Sequence, residues 1–220
     1  MNERVGIITE DWVSIIGDYY EGGRDRAVLL LHMMPATRAS WTAFANALVA
    51  DGLSVLAVDL RGHGESTTGP NGTLLDYQNF KDEDHQASIQ DVEAASQFLK
   101  NEKKMKEISI AGASIGANLA LVYAAAHPEI RSLIILSPGL DYRGVLTKDA
   151  AVKLHTGQQV FFMASEDDEY SAASTKELFE VATSDKKMEI LHDAGHGTTM
   201  LERKPEYLKI LADWLYQTGS

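Results

Sequence analysis

The stretch Ile108-Ser109-Ile110-Ala111-Gly112-Ala113-Ser114-Ile115-Gly116-Ala117-Asn118-Leu119 leaves almost no room between a strand, a turn and a helix. An apolar run leads to a serine with a glycine two residues away on each side, and helix-forming residues follow at once. Small residues at these flanks let a helix leave a strand this sharply, and the residue at the apex must take a strained backbone conformation. The Ser114 hydroxyl is then expected to stand clear of the sheet, at the amino end of a helix whose dipole favours developing negative charge. Taken alone, a Gly-x-Ser-x-Gly arises by chance in roughly one chain in fifteen of this length. Its meaning rests on its surroundings.

Those surroundings alternate between strand and helix over the whole chain, with no linker and no repeat. Val5 to Ile8, Val13 to Tyr20, Ala27 to His32, Leu53 to Asp59, Ile108 to Ala111, Leu133 to Leu136, Val160 to Ala164 and Met188 to Leu191 read as strands. Several are unbroken apolar runs, as in strands buried on both faces. Trp41 to Ala50, Glu83 to Lys104, the segment from Ala117 to His127-Pro128, Ser171 to Ala182 and Pro205 to Tyr216 read as helices. In the second of these, Ile89, Val92, Ala95, Phe98 and Leu99 share one face. Thr67 to Phe80 carries Gly69-Pro70 and Asn71-Gly72 and reads as loop. The pattern predicts one α/β domain over residues 1–220, a mostly parallel sheet of about eight strands with helices on both faces. Functional residues then belong at the carboxyl ends of the strands.

Composition narrows the chemistry. The 220 residues contain no cysteine, which rules out disulfides, thiolate nucleophiles and cysteine-bound metals. A formal net charge of −12 repels phosphate backbones, so nucleic acid is not expected as a partner. The apolar runs are strand-sized, far short of a membrane span. Met1 to Gly6 shows no basic and apolar leader, which makes the cytoplasm the expected location. No metal-ligand spacing or dinucleotide fingerprint appears, and no cofactor is predicted.

A serine nucleophile needs a base, and the base needs an orienting carboxylate. Among seven histidines, His196 lies in Asp193-Ala194-Gly195-His196-Gly197, the loop after the last strand, where small neighbours leave it room. His192 sits nearer that strand and is read as a packing or hydrogen-bonding residue. The carboxylate should emerge from the strand before it. Val160 to Ala164 runs into Ser165-Glu166-Asp167-Asp168-Glu169. Turn length favours Asp168, with Asp167 and Glu166 behind it, and Asp141 stands on an alternative route.

With Ser114, Asp168 and His196 in that order, the chain resembles the α/β-hydrolase superfamily along nearly its whole length. Leu29-Leu30-Leu31-His32-Met33-Met34-Pro35 is similar to the segment that supplies half of the oxyanion hole. Val58-Asp59-Leu60-Arg61-Gly62-His63-Gly64-Glu65-Ser66 is similar to the turn after the fourth strand. The resemblance implies an α/β-hydrolase fold with a catalytic triad of Ser114, Asp168 and His196 and with the Met34 and Ile115 N–H groups as oxyanion donors. Met33 stands where many relatives carry glycine, so it is the alternative donor to Met34. His63, Arg61, Asp59 and Asp91 are implied to be structural.

The segment from Ser137 to Val160 has room for one short helix, over Lys148 to His155, and so for a minimal cap or none. An open site follows, suited to short acyl chains, with Met33, Met34, Tyr142, Tyr170 and Met200 as wall residues. The implied activity is hydrolysis of a small ester through an acyl-enzyme by a monomer or homodimer. Thioesterase, acyltransferase and acyl-peptidase chemistry would use the same residues, and a non-catalytic member that uses the fold for binding is the competing class. Dehalogenases and epoxide hydrolases of this superfamily place aspartate at the elbow, and dienelactone hydrolases place cysteine there.

Overall fold

A computed structural model describes residues 2–217. Strands β1 (Asn2–Ile8), β2 (Ser14–Tyr20), β3 (Arg26–Leu31), β4 (Ser54–Val58), β5 (Glu107–Ala113), β6 (Ser132–Leu136), β9 (Gln159–Ser165) and β10 (Asp185–Leu191) form one sheet, and β7 (Asp141–Tyr142) and β8 (Val145–Leu146) form a separate hairpin. The strand order is β1-β2-β4-β3-β5-β6-β9-β10. β2 runs antiparallel to both of its neighbours, and every pairing from β4 to β10 is parallel. The helices are α1 (Thr42–Ala50), α2 (Asp82–Gln86), α3 (Ile89–Asn101), α4 (Ile115–Ala126), α5 (Lys148–Lys153), α6 (Glu169–Val181), α7 (Thr199–Arg203) and α8 (Glu206–Gln217).

Side chains of a strand alternate between faces, and the two cores divide accordingly. Leu29, Leu31, Leu56, Val58 and Ile110 pack with Val92, Ala95 and Leu99 of α3, Leu121 of α4 and Leu178 of α6. Val28, Leu30, Val55, Ala57 and Ala111 pack with Phe44 and Leu48 of α1, Met200 of α7 and Leu211 and Leu215 of α8. Helices therefore cover both faces, which is why the central strands read as unbroken apolar runs.

Two elements differ from the sequence reading. The helix expected over 83–104 is split after Gln86, because the apolar stripe begins only at Ile89 and the acidic Asp82–Asp84 turn has no core face to bury. The last strand begins at Asp185 instead of Met188. β10 is an edge strand, where Lys186 and Lys187 stay in water, and charged residues there discourage pairing with another sheet.

At the carboxyl edge, buried polar groups are held by one another. Asp91 is fully buried and accepts the Arg61 Nε–H (2.9 Å) and the Arg61 backbone N–H (2.8 Å), while Arg61 also grips Asp11 (2.6 and 3.0 Å). Asp59 is buried against Arg38, which reaches Asp18 (3.1 Å) and Glu65 (2.8 Å) as well. His32 Nε2 accepts the Leu60 N–H (3.0 Å), so its proton is on Nδ1 and is donated to the Met33 carbonyl (2.9 Å). Complete burial, with His63 nearby, pushes His32 down to about 4, so it stays neutral.

Gly112 and Gly116 set how closely α4 passes the sheet. A methyl on Gly116 would lie 2.7 Å from the His32 carbonyl oxygen and closer still to that of Leu31, both backbone atoms with nowhere to move. Gly116→Ala should therefore lower the unfolding free energy by roughly 2 kcal/mol or more, against the ~1 kcal/mol it gains in helix propensity, in a urea titration. A second outcome concerns pH. Below 6.5 the unfolded His32 binds a proton that the folded one refuses until about 4, so stability falls as pH drops through that window. The loss should approach about 3 kcal/mol. His63 and His85 act in the same sense and Asp91, raised to about 6, in the opposite one. Comparing pH-dependent melts of wild type and His32→Asn isolates the imidazole, and equal slopes would refute the assignment.

Candidate active site

Ser114 closes β5 and caps α4. Its φ of 55° and ψ of −120° lie outside the ordinary regions for a residue with a side chain. The strain is held on both sides, because the Ser114 N–H donates to the Leu136 carbonyl of β6 (2.9 Å) and Gly112 and Gly116 leave no slack between strand and helix. The residue is only 8% exposed, less open than the sequence suggested. Tyr142 covers it. The Tyr142 hydroxyl interacts with the Ser114 hydroxyl and lies 2.8 Å from Ser171 Oγ, while its ring stands edge-on to His196, at 6.4 Å between centroids. Burial, with the Asp168 charge nearby, raises the Tyr142 hydroxyl above its usual range, so it remains a donor.

The loop between β10 and α7 carries His196. Its Nδ1 lies 2.6 Å from Asp168 Oδ2, which leaves Nε2 free of the carboxylate. Asp168 is the N-cap of α6 and accepts the Ser171 N–H (3.4 Å). Partial burial opposes its charge, yet the bonds from His196 and Ser171 outweigh that and hold its carboxyl below the ordinary range. Gly197 tucks the loop against the end of β5, where an added methyl would lie 3.4 Å from Ala113 Cβ and 2.5 Å from Met33 Sδ. His196 is thus brought to the strand end that presents Ser114.

The other acids considered for the carboxylate have different work. Asp167 bonds to Ser165 Oγ and accepts the Gly195 N–H (3.2 Å), so it braces the histidine loop. Glu166 meets the exposed His192 (3.1 Å). Asp141 accepts the Gly144 N–H (2.7 Å) inside a turn. Arg61, His63, Asp59 and Asp91 are buried, and the first, third and fourth are spent on the ion pairs described above. His63 stacks on Tyr77 at 4.0 Å and uses Nδ1 on the Arg61 carbonyl (3.0 Å).

The segment after β3 passes beside the α4 amino end, since Gly116 touches the Leu31 and His32 carbonyls. His32 holds the Met33 carbonyl, and in a trans peptide the N–H of Met34 points the opposite way. Met33 and Met34 are partly buried against opposite cores. Met200, expected in the wall, is fully buried instead, because α7 presses it under the sheet.

Several supporting residues escaped the sequence reading. Ser165 Oγ accepts the Ala194 N–H (2.9 Å), and Ser137 Oγ accepts the Gly197 N–H (2.9 Å). Each is a polar residue that ends or follows a buried apolar strand, which is the signal that could have found it. Asn118, buried in α4, donates to the Val145 carbonyl (2.8 Å) and accepts the Gly139 N–H (3.0 Å). A lone amide in an otherwise apolar helix was its mark. These bonds pin the β7–β8 hairpin to the body, and no cap is evident between β6 and β9. Among the described residues, no cluster of three or more histidine or acidic side chains is placed to hold a metal ion, and no helix is long and apolar enough to cross a membrane.

The chain is 31% identical over 122 residues to a serine hydrolase-like protein of Dictyostelium discoideum, covering 56% of this chain and 30% of that one. It is 32% identical over 123 residues to a monoacylglycerol lipase, abhd6-B, of Xenopus laevis, covering 54% and 33%. The matched span is thus about a third of those relatives' length. An esterase of Pyrococcus furiosus superposes with a TM-score of 0.81 at 20% identity, over 99% of this chain and 92% of that one, a likeness of fold. Residues 22–158, more than half of the chain, match the serine aminopeptidase S33 family. The chain belongs to that family, within the α/β-hydrolase superfamily.

Proposed function

We propose that the chain hydrolyses short, accessible carboxylic esters through a covalent acyl-enzyme. The observation that carries this reading is the 2.6 Å bond from Asp168 to His196 on a loop that abuts the strained turn of Ser114. Asp168 fixes His196 with its proton on Nδ1, so Nε2 is the basic nitrogen. Ser114 Oγ attacks the ester carbonyl as Nε2 takes its proton. The tetrahedral oxyanion lies at the α4 amino end, stabilised by the Ile115 N–H and by the Met34 N–H that His32 turns away from itself. The imidazolium then protonates the departing alcohol. Water, deprotonated by the same nitrogen, releases the acid and restores the serine.

Tyr142 gives Ser114 a partner in the resting site and can pass its hydroxyl bond to Ser171 when the serine turns to substrate. The pinned hairpin supports a preference for short acyl groups, because nothing on hinges closes over a long chain. The whole of residues 1–220 is read as one catalytic domain, working as a monomer or homodimer. Thioesters or acyl acceptors other than water would use the same atoms, and turnover of a thioester panel separates those readings.

Ser114→Ala should remove turnover of p-nitrophenyl butyrate by 10⁴-fold or more and abolish labelling by a fluorophosphonate probe, with the melting temperature kept. Asp168→Asn should leave the fold intact and cost about 10³- to 10⁴-fold in kcat, because the amide misplaces the His196 proton. A Ser114→Ala enzyme with wild-type turnover would refute the nucleophile. Across p-nitrophenyl esters from acetate to palmitate, kcat/KM should peak at four carbons or fewer, and a maximum at the long esters would contradict the open-site reading.

A further inference from the structure

An open cavity of about 410 Å³ lies beside Met34 and Pro35, lined also by Tyr77, Gln78, Phe80, His85 and Arg143. Met34 is shared with the peptide read as an oxyanion donor. Arg143 follows Tyr142, whose hydroxyl meets Ser114. Through Met34 the cavity borders the peptide read as an oxyanion donor, and it lies between the segment after β3, the 77–85 segment and the β7–β8 hairpin, with Ser114, Tyr142 and His196 outside its walls.

Arg143 is placed there at a conformational cost. It occupies the first central position of the hairpin turn with φ of 56°, before Gly144 at 76°. Such turns favour asparagine, aspartate or glycine at this point, and a long branched cation gains nothing from it locally. The turn is fixed by the Asp141 carboxylate on the Gly144 N–H, and by α2 beneath it: a methyl on Gly144 would run into the Gln86 side chain and lie 3.6 Å from Asp82 Cβ. The tip is thereby seated on the helix that carries His85. Phe80 stands edge-on to the His85 ring at 5.4 Å.

Arg143 makes no ion pair among the described residues, in a protein of net charge −12. Three neighbouring acids are engaged elsewhere, Asp84 on the Lys81 N–H (2.9 Å), Asp76 on the Gln78 N–H (3.0 Å) and Asp141 on Gly144, while Asp82, under the turn, forms no ion pair with Arg143. Asp82 lies in the first turn of α2. Burial, with the Arg143 charge added, keeps the His85 imidazole below its usual range and so neutral, able to donate one hydrogen bond. The cavity thus offers an uncommitted guanidinium and an imidazole donor above an apolar floor of Met34, Pro35 and Phe80.

We propose that this cavity is a substrate subsite for a carboxylate, and that the enzyme prefers short esters carrying an anionic group a few carbons from the scissile bond. The proposal rests on the hydrolase reading above. Guanidinium and carboxylate match in a bidentate fork, and Met34, Pro35, Phe80 and the Tyr77 ring take the methylenes between. The carboxylate could stand on either side of the ester, acid or alcohol, and the same cavity chemistry serves both.

The test compares each acid with its own neutral methyl ester. 4-Nitrophenyl hydrogen succinate against 4-nitrophenyl methyl succinate places the charge on the acyl side. 4-Acetoxybenzoate against methyl 4-acetoxybenzoate places it on the alcohol side. In wild type, one acid should exceed its methyl ester at least tenfold in kcat/KM, mostly through KM, and the ratio should shrink as NaCl is raised. Arg143→Gln should cut that ratio tenfold or more, and Arg143→Lys should restore part of it. If neither acid is preferred, or the preference survives Arg143→Gln, the subsite is wrong even though the neutral esters are cleaved. If no ester is cleaved and the fluorophosphonate probe does not react, it is the hydrolase reading that fails. Should Arg143→Gln not fold, the wild-type ratio and its salt dependence still decide.

Discussion

The tightest constraint in the molecule is the approach of α4 to the carboxyl ends of β3 and β5. Gly116 lies against the Leu31 and His32 carbonyls, and Gly112 lies against the Gly116–Ala117 peptide. The contacts are backbone on backbone, so no rearrangement of side chains can relax them. They force the strand-to-helix turn into one residue, and Ser114 pays the conformational strain at φ of 55°. The same approach brings the segment after His32 next to the α4 amino end. One steric fact therefore sets both the turn at Ser114 and the path of the chain leaving β3.

Around that fixed point, the second half of the site depends on loops, and short side chains discipline them. Ser165 ties the Ala194 N–H, Asp167 ties Gly195 and Ser137 ties Gly197. Staples at 194, 195 and 197 leave the His196 loop little freedom except in the imidazole itself. Asp168 is held independently as the α6 cap. The carboxylate and imidazole are thus each located by their own backbone supports, and their 2.6 Å bond joins two positions already set.

The sheet was legible because burial on both faces writes itself as unbroken apolar runs, and the turn at 114 was legible because the close approach of strand and helix at 112 and 116 leaves room only for glycine. Boundaries were less so where packing, and not propensity, decides. The break after Gln86 depends on where a core-facing stripe begins, and the start of β10 depends on edge position, which a single sequence does not display. Within the site, the Asp168–His196 pairing was readable from turn length, and the roles of the surrounding acids were not. Four acids cluster from Glu166 to Glu169, and only coordinates distribute them among a histidine, a loop brace and a surface contact. Tyr142 was named as a wall residue, but that its hydroxyl faces the serine depends on a hairpin two residues per strand long, below the reach of any periodicity.

That hairpin also separates this chain from a hydrolase with a mobile lid. Asn118 holds it at Val145 and Gly139, Thr147 holds the Gly139 carbonyl (2.7 Å), and Gly144 sits on Gln86. A lid that swings must break its contacts at small cost, and buried amide bonds to backbone are costly to leave unmade. What the site admits is therefore set by fixed walls, through the Tyr142–Tyr170 ring pair at 5.6 Å on one flank and the Arg143 tip on the other. In an acidic protein, an exposed cation without an ion pair, such as Arg143, acts over only about 8 to 10 Å at ordinary ionic strength. Its influence is thereby confined to its own surroundings, the cavity beside Met34 among them.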